Sequence, residues 1–463
     1  MKNTRLYSLL ESLTTKEIKQ VKKWLASPFF NQRQDVIDFF EYYLAHKTRP
    51  QKAFDKQVIF KQLYPQQAYE YHKLRMVFSL LKRQVEQFLV YQEEQADKAK
   101  QRLQLAKIYR ARRLEKHAKQ SLQQTHQLIS QSPKTDHFRL YLDYQYSMEC
   151  TEHDRLLNRT KDKNYQYLLD QIDQYYITRK LFHVLSCLLH EYHSEFSYDY
   201  GAFDTVLLQI KQQPQLLNHP LVDAYYASYQ AFTQLDNKAL YFNYKQKILE
   251  HQASIAREDL KYLVQFAIDM CIINSNKGDR SLLSEIQAWH EWILEYHIVP
   301  RINHQWFKNM ANAGILNQKF DWTERFIEDY RDQLNDEYRS HIPQMLLANL
   351  AFHRQEYEKA LEIIRSLQVE DTFHLISIKV TQVTCLYKLG ILEVATNQLK
   401  NFEAFLRRQS MGYKKQYLLN WVSFLQKIIK LNPYDKQAKK QLLQEITVHQ
   451  QVSFKKWLLS CLE

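Results

Sequence analysis

The stretch LLANLAFHRQEYEKALEIIRSL, residues 346–367, is where the fold becomes readable. Ala348 and Ala360 stand twelve residues apart, with Tyr357 and Ile364 as large neighbours. Small side chains at that spacing let two antiparallel helices approach closely. The frame recurs around Ala311/Thr323 with Phe320 and Ile327, and around Val383/Ala395 with Leu392 and Leu399. Its second small position steps from Thr323 to Ala360 to Ala395, which is 37 and then 35 residues. Tandem hairpins of near-constant period stack into arrays in which each unit contacts mainly its neighbours.

These residues resemble the tetratricopeptide repeat, whose two small positions have the same spacing and whose usual period is close to the steps seen. The resemblance covers roughly residues 300–410. It implies a superhelix of helical hairpins with an extended concave surface, suited to holding a protein or peptide partner. Upstream, Ala227/Ala239 keeps the small-residue frame, Asp269/Ser281 does not, and both lack the large partners. Val383 replaces a small residue, so that hairpin is expected to splay.

Working outward, the chain has only five glycines among 463 residues: Gly201, Gly278, Gly314, Gly390 and Gly412. Glycine supplies the positive-φ positions of tight turns and phosphate-cradling loops. Phosphate-loop and dinucleotide fingerprints, which need closely spaced glycines, are absent, and so is a G-x-S-x-G elbow. Gly278, Gly314 and Gly390 lie near the bends of proposed hairpins, where a glycine can close a helix C-terminus. Nine prolines and no period-2 alternation complete an all-α expectation. The length calls for several domains or a repeat array. Hydrophobic content of 45% excludes wholesale disorder, and 32 Tyr, 24 Phe and 7 Trp suit helix-packing layers.

The first 95 residues read as a helical bundle. Leu6, Leu9, Leu10 and Leu13 keep helical spacing, and Thr14 with Glu17 forms a capping box for a helix with Ile18, Val21, Trp24 and Leu25 inside. That helix stops at Ser27-Pro28, and Phe29 and Phe30 are expected to lie on the bundle as a lid. The stretches LTTKEIKQVKKWLASPFFNQRQDVIDFFEYYL and VIFKQLYP resemble helical proteins of Bacteroidota-type bacteria, a resemblance that implies a source and no activity. Residues 96–135 read as a long basic connecting helix, and 136–463 as the hairpin solenoid.

The net charge of +13 is uneven. Residues 1–150 hold 27 Lys/Arg against 15 Asp/Glu, 151–400 hold 26 against 32, and 401–463 hold 11 against 4. On one continuous helix, Lys98, Arg102, Arg112, Arg113, Lys116 and Lys119 fall within a single arc. Such a stripe suits phosphates or an acidic partner. The plain alternative is a solvated helix face.

Three chemical candidates follow. His183, Cys187 and His190 sit at i, i+4 and i+7 on one helix face and are the residue types that hold zinc. A cage normally draws a ligand from a second element, and none is identifiable. Arg112 and His117 match the R-x4-H spacing of helical ribonucleases, which resembles the HEPN class. The polar residue that class carries after its arginine is replaced by Arg113. The tyrosines Tyr165, Tyr167, Tyr175, Tyr176, Tyr192, Tyr225, Tyr226 and Tyr229 read as packing residues rather than a base-stacking platform.

Five dispersed cysteines, no CxxC, no signal-type apolar stretch and no run long enough to span a membrane point to a cytoplasmic protein. The reading is therefore a non-catalytic repeat scaffold that binds a protein or peptide in its groove and takes no cofactor. Nucleic-acid binding through the basic ends is the alternative. A metal-dependent or HEPN-like RNA-cleaving enzyme is third.

Overall fold

The computed structural model describes residues 4–47, 54–131, 134–157, 165–194, 196–276, 279, 281–299, 302–369, 371–409, 414–432 and 434–462. Among them no β-strand forms, and the chain is all-α. No described helix is long and apolar enough to cross a membrane. The chain divides into two units, Met1–Arg179 and Lys180–Glu463. The division does not fall at residues 95 or 135, because the helices of 96–135 pack on those before and after them.

The first unit begins with α1 (Arg5–Glu11), α2 (Thr15–Ala26), α3 (Gln34–His46), α4 (Lys56–Leu63) and α5 (Tyr71–Ala96). The capping box forms as expected: Thr14 Oγ1 accepts from the Glu17 amide, and the Glu17 carboxylate accepts from the Thr14 amide at 2.7 Å. Leu6, Leu10, Val21, Leu25, Val36, Phe39, Phe40, Leu74, Val77, Leu81 and Val85 make one buried core. Each large apolar side chain there contributes roughly 1.5–3 kcal/mol by leaving water. Of the expected lid only Phe30 covers the bundle, stacked on the core residue Trp24, while Phe29 stands 86% exposed.

The single helix expected over 96–135 is two helices, α6 (Lys98–Ala111) and α7 (Glu115–Ser130), which pack on each other and on α8 (His137–Leu157). The chain reverses at Arg113, whose φ is 58°. The Arg113 amide donates to the Arg110 carbonyl and the Leu114 amide to the Tyr109 carbonyl, both at 2.9 Å. That pair of bonds is the Schellman closure of a helix C-terminus. α9 (Tyr165–His193) follows and runs across the division between the units.

The second unit continues with α10 (Phe203–Gln212), α11 (Pro220–Thr233), α12 (Lys238–His251), α13 (Arg257–Asn276), α14 (Leu283–Glu295), α15 (His304–Leu316) and α16 (Phe320–Tyr330). Then come α17 (Asp336–Arg339), α18 (Ile342–His353), α19 (Tyr357–Arg365), α20 (Thr372–Lys388), α21 (Leu392–Arg408), α22 (Lys414–Lys430), α23 (Lys436–Val448) and α24 (Lys455–Ser460). Pro220 and Pro343 sit in first turns, where their missing N–H is no loss. Contacts run between nearby elements of the chain: α15 meets α16 and, past the one-turn α17, α18; α18 meets α19 and α20, and α20 meets α21.

The twelve-residue frame is buried at every copy. Ala311/Thr323, Ala348/Ala360 and Val383/Ala395 are each at most 1% exposed. Seven residues after the first small position the backbone turns left-handed: Gln318 at φ 59°, Gln355 at 65° and Gly390 at 72°. Each turn carries the same two Schellman bonds, for instance Glu356 amide to Ala351 carbonyl and Gln355 amide to Phe352 carbonyl. Ala106, Arg113 and Ala118 repeat that register in the first unit, with both alanines 1% exposed. The hairpin with Val383 is closed rather than splayed, since Val383 shares a core cluster with Leu399 and Phe402.

Of the glycines expected at bends, Gly390 is one and Gly278 lies outside the described residues. Gly314 does something else: it sits inside α15, and a Cβ built there would come 2.2 Å from Thr323 Oγ1 and 3.1 Å from the Trp322 ring. Where the frame's second small residue is the bulkier threonine, a missing Cβ on the facing helix restores the close approach. Gly314→Ala therefore costs on the order of 2 kcal/mol by overpacking, and Thr323→Ala in the same chain recovers most of it. Gln318→Gly and Gln355→Gly each stabilise by roughly 0.5–1 kcal/mol, because a Cβ is disfavoured in the left-handed region. Urea unfolding midpoints of the five chains check all four effects.

Candidate functional site

The polar residues that the repeat brings together lie along its first helices, α15, α18 and α20. Asn349 on α18 donates to Asn312 Oδ1 on α15 at 3.3 Å. Lys308, one turn before Asn312, donates from Nζ to His374 Nε2 of α20 at 3.1 Å. His374 Nδ1 lies 3.2 Å from His341 Nε2, at the start of α18. A ring row continues outward, with Tyr338 6.2 Å from His341 and His304 stacked on Tyr338 at 4.1 Å. Asp371 caps α20 by accepting from the His374 amide at 2.8 Å.

Lysine donation requires His374 Nε2 to be unprotonated, so Nδ1 carries the proton and points it at His341. Burial and then the neighbouring Lys308 charge hold His374 below the usual histidine range. Burial likewise lowers Lys308, against the pull of Asp371. Burial acts to raise Asp371, but hydrogen bonds from the His374 and Phe373 amides and the nearby Lys308 charge hold it low. A half-buried ammonium thus rests on a neutral imidazole instead of a carboxylate. Beside it, the linked amides keep the Asn312 NH2 and the Asn349 carbonyl oxygen available. One cation, one donor and one acceptor in a row can grip a carboxylate and the edge of a peptide backbone.

None of these residues was singled out from the sequence, although the signal is there. His304 and His341 each stand seven residues before the frame's first alanine, and Asn312 and Asn349 each stand one after it. The residues that were singled out are arranged differently. His190 Nδ1 is 2.8 Å from Tyr198 Oη and its ring stacks on Phe196, while His183 and His190 are exposed and Cys187 half-buried. Among the described residues no group of three or more His, Cys, Asp and Glu could hold a metal ion. Lys98 and Arg102 open α6, Arg112 and Arg113 form its closing turn, and Lys116 and Lys119 begin α7. The six therefore do not share one helical arc, because the helix that defined the arc reverses in its middle. Arg112 and His117 stand on either side of that reversal, with the His117 ring against Tyr109 at 5.4 Å. Tyr225 is buried against Asp259, and Tyr141 meets Tyr175 at 5.2 Å, whereas Tyr165, Tyr167, Tyr176 and Tyr192 remain exposed.

Compared with protein-family models, with curated proteins and with solved structures, the chain finds no match in any of the three.

Histidines kept neutral by burial give the second unit an acid-labile stability. His219 is pushed down to about 4 by burial and by His251, and His290 to about 3 by burial, and on each a buried Nδ1 has no partner among the described residues. The unfolded chain takes up these protons below about pH 6.5, which the folded chain refuses, so unfolding free energy falls as pH drops through that range. Asp269, raised to about 6 by burial, opposes this with one carboxylate. Replacing His290 by Asn should reduce the slope of stability against pH by roughly 1.4 kcal/mol per unit between about pH 6 and 4. Urea unfolding at a series of pH values measures it.

Proposed function

We propose that this chain is a non-catalytic scaffold, a tetratricopeptide-like array of hairpins that holds an extended segment of a partner protein along its first helices. The observation that carries the proposal is the Lys308, Asn312, Asn349 and His374 row on three successive first helices. Repeating amides suit a repeating ligand, and a peptide backbone offers alternating N–H and C=O groups along its edge. The ammonium beside them suits a carboxylate of that segment, and Met345 on α18 and Ile378 on α20 belong to one buried cluster that holds these two helices together. The five cysteines, which form no disulfide among the described residues, go with a reducing cytoplasm.

Nucleic-acid binding is the competing reading. Arg112, Arg113, Lys116 and Lys119 are exposed around the tip of the α6–α7 hairpin and form no ion pair among the described residues. A basic tip of this kind reads phosphate charge without sequence preference. It is separated from the scaffold reading by salt dependence, since phosphate binding weakens linearly in log affinity with log salt.

Affinity recovery with the intact chain as bait, from the cells that make it, tests the proposal, with bound protein and nucleic acid both identified. A defined protein should be recovered by the wild-type chain and lost at least tenfold from one carrying Lys308→Ala, Asn312→Ala and Asn349→Ala, at unchanged helicity by circular dichroism. Recovery of nucleic acid alone, or of a protein that the triple variant retains equally well, sinks it.

A further inference from the structure

The loop between α2 and α3 holds an aromatic side chain in water at evident cost. Phe29 is 86% exposed, yet the residues around it are pinned. The Phe30 and Asn31 amides both donate to the Ser27 carbonyl, and the buried Asn31 side chain donates to the carbonyls of Leu25 and Arg33. The Gln84 side chain of α5, also buried, accepts from Trp24 Nε1 at 2.9 Å and donates to the Phe30 carbonyl at 2.7 Å. Two buried amides thus fix the path of a loop whose outermost ring touches little. Phe30 lies flat on Trp24 at 3.6 Å, and Phe29 meets Phe30 edge-on at 5.0 Å.

Trp24, Phe29, Phe30, Arg83, Gln84 and Gln87 line a cleft of about 450 Å³. That volume accepts one bulky side chain with its flanking backbone. Arg83, Gln87 and Val90 follow at i, i+4 and i+7 on α5, so a single exposed helix face continues the cleft. The lining carries one charge, the Arg83 guanidinium, which has no carboxylate partner among the described residues. The helix that supplies Trp24 also carries exposed Lys16, Lys19 and Lys23 at i, i+3 and i+7, without ion pairs among the described residues. Tryptophan, aromatic rings and arginine around a pre-formed cleft are the composition of binding hot spots, and a rigid loop reduces the ordering cost of binding.

We infer that this cleft docks an acidic linear segment of another protein, which lays a bulky apolar side chain in the cleft against Phe29, Phe30 and Trp24 and sets a carboxylate on Arg83. Charge complementarity selects an acidic segment. The cleft's own lining carries a single guanidinium, not a row of cations of the kind that tracks a nucleic-acid backbone. The cleft lies in the first unit and is independent of the Lys308 row.

The test uses the intact chain and three fluorescein-labelled probes read by anisotropy at about 0.15 M salt, near physiological ionic strength. One is a set of dodecapeptides with Phe, Leu or Trp amid Asp and Glu; the second replaces the acids by Lys; the third is a twelve-residue oligouridylate. The acidic set should bind wild-type chain and the lysine set should not. Phe29→Ala and Arg83→Gln should each weaken acidic-peptide binding at least tenfold. Because Phe29 is exposed, its alanine variant should unfold at the wild-type temperature, so loss of binding cannot be loss of fold. Three outcomes overturn the inference: no binding of the acidic set, binding undiminished in both variants, or oligouridylate binding abolished by them while the peptides fail to bind.

Discussion

The second unit depends on how closely two antiparallel helices can lie. At Ala311/Thr323, Ala348/Ala360 and Val383/Ala395 the side chains facing the crossing are small or tightly fitted, and all are buried. Each hairpin is then closed by a helix end whose last carbonyls are satisfied by amides just beyond a left-handed residue. Crossing and turn are coupled, because the turn's position seven residues after the first small residue sets which residues of the second helix meet the first. Gly314 shows how strict the coupling is: where Thr323 intrudes, the opposite helix gives up its Cβ.

Glycine poverty has a different meaning in this light. The left-handed position of the Schellman turn is filled by Arg113, His297, Gln318 and Gln355 as well as by Gly390. Conformational strain on the order of 1–2 kcal/mol per residue is accepted at these ends. The glycine that matters most for packing, Gly314, lies within a helix. The scarcity of glycine thus excludes phosphate-cradling loops without marking where the hairpins bend.

Both proposed interaction surfaces include polar groups organised by packing. On the first helices, Lys308, His374, His341, Asn312 and Asn349 converge only because α15, α18 and α20 lie side by side. In the first unit, Gln84 reaches across from α5 to fix both Trp24 and the Phe30 carbonyl, fifty-four residues away in sequence. Burial gives these groups their character: a lysine with a lowered proton affinity, a histidine held neutral, an amide with no freedom to turn.

What the sequence by itself determined is the helical class, the capping box at Thr14 and the hairpin frame, since each depends on residues within about a dozen positions of one another. Local sterics and hydrogen bonds decide such features before any tertiary contact forms. The reversal at Arg113 escaped it, because an arginine at a left-handed position carries no glycine signal and the basic run around it reads as one helix. The sites were decided by the tertiary structure alone. Whether Phe29 covers the core or faces water, and whether Lys308 meets a carboxylate or an imidazole, depends on which distant helix packs alongside. Periodicity fixes the face of a helix; only packing supplies the neighbour that face will meet.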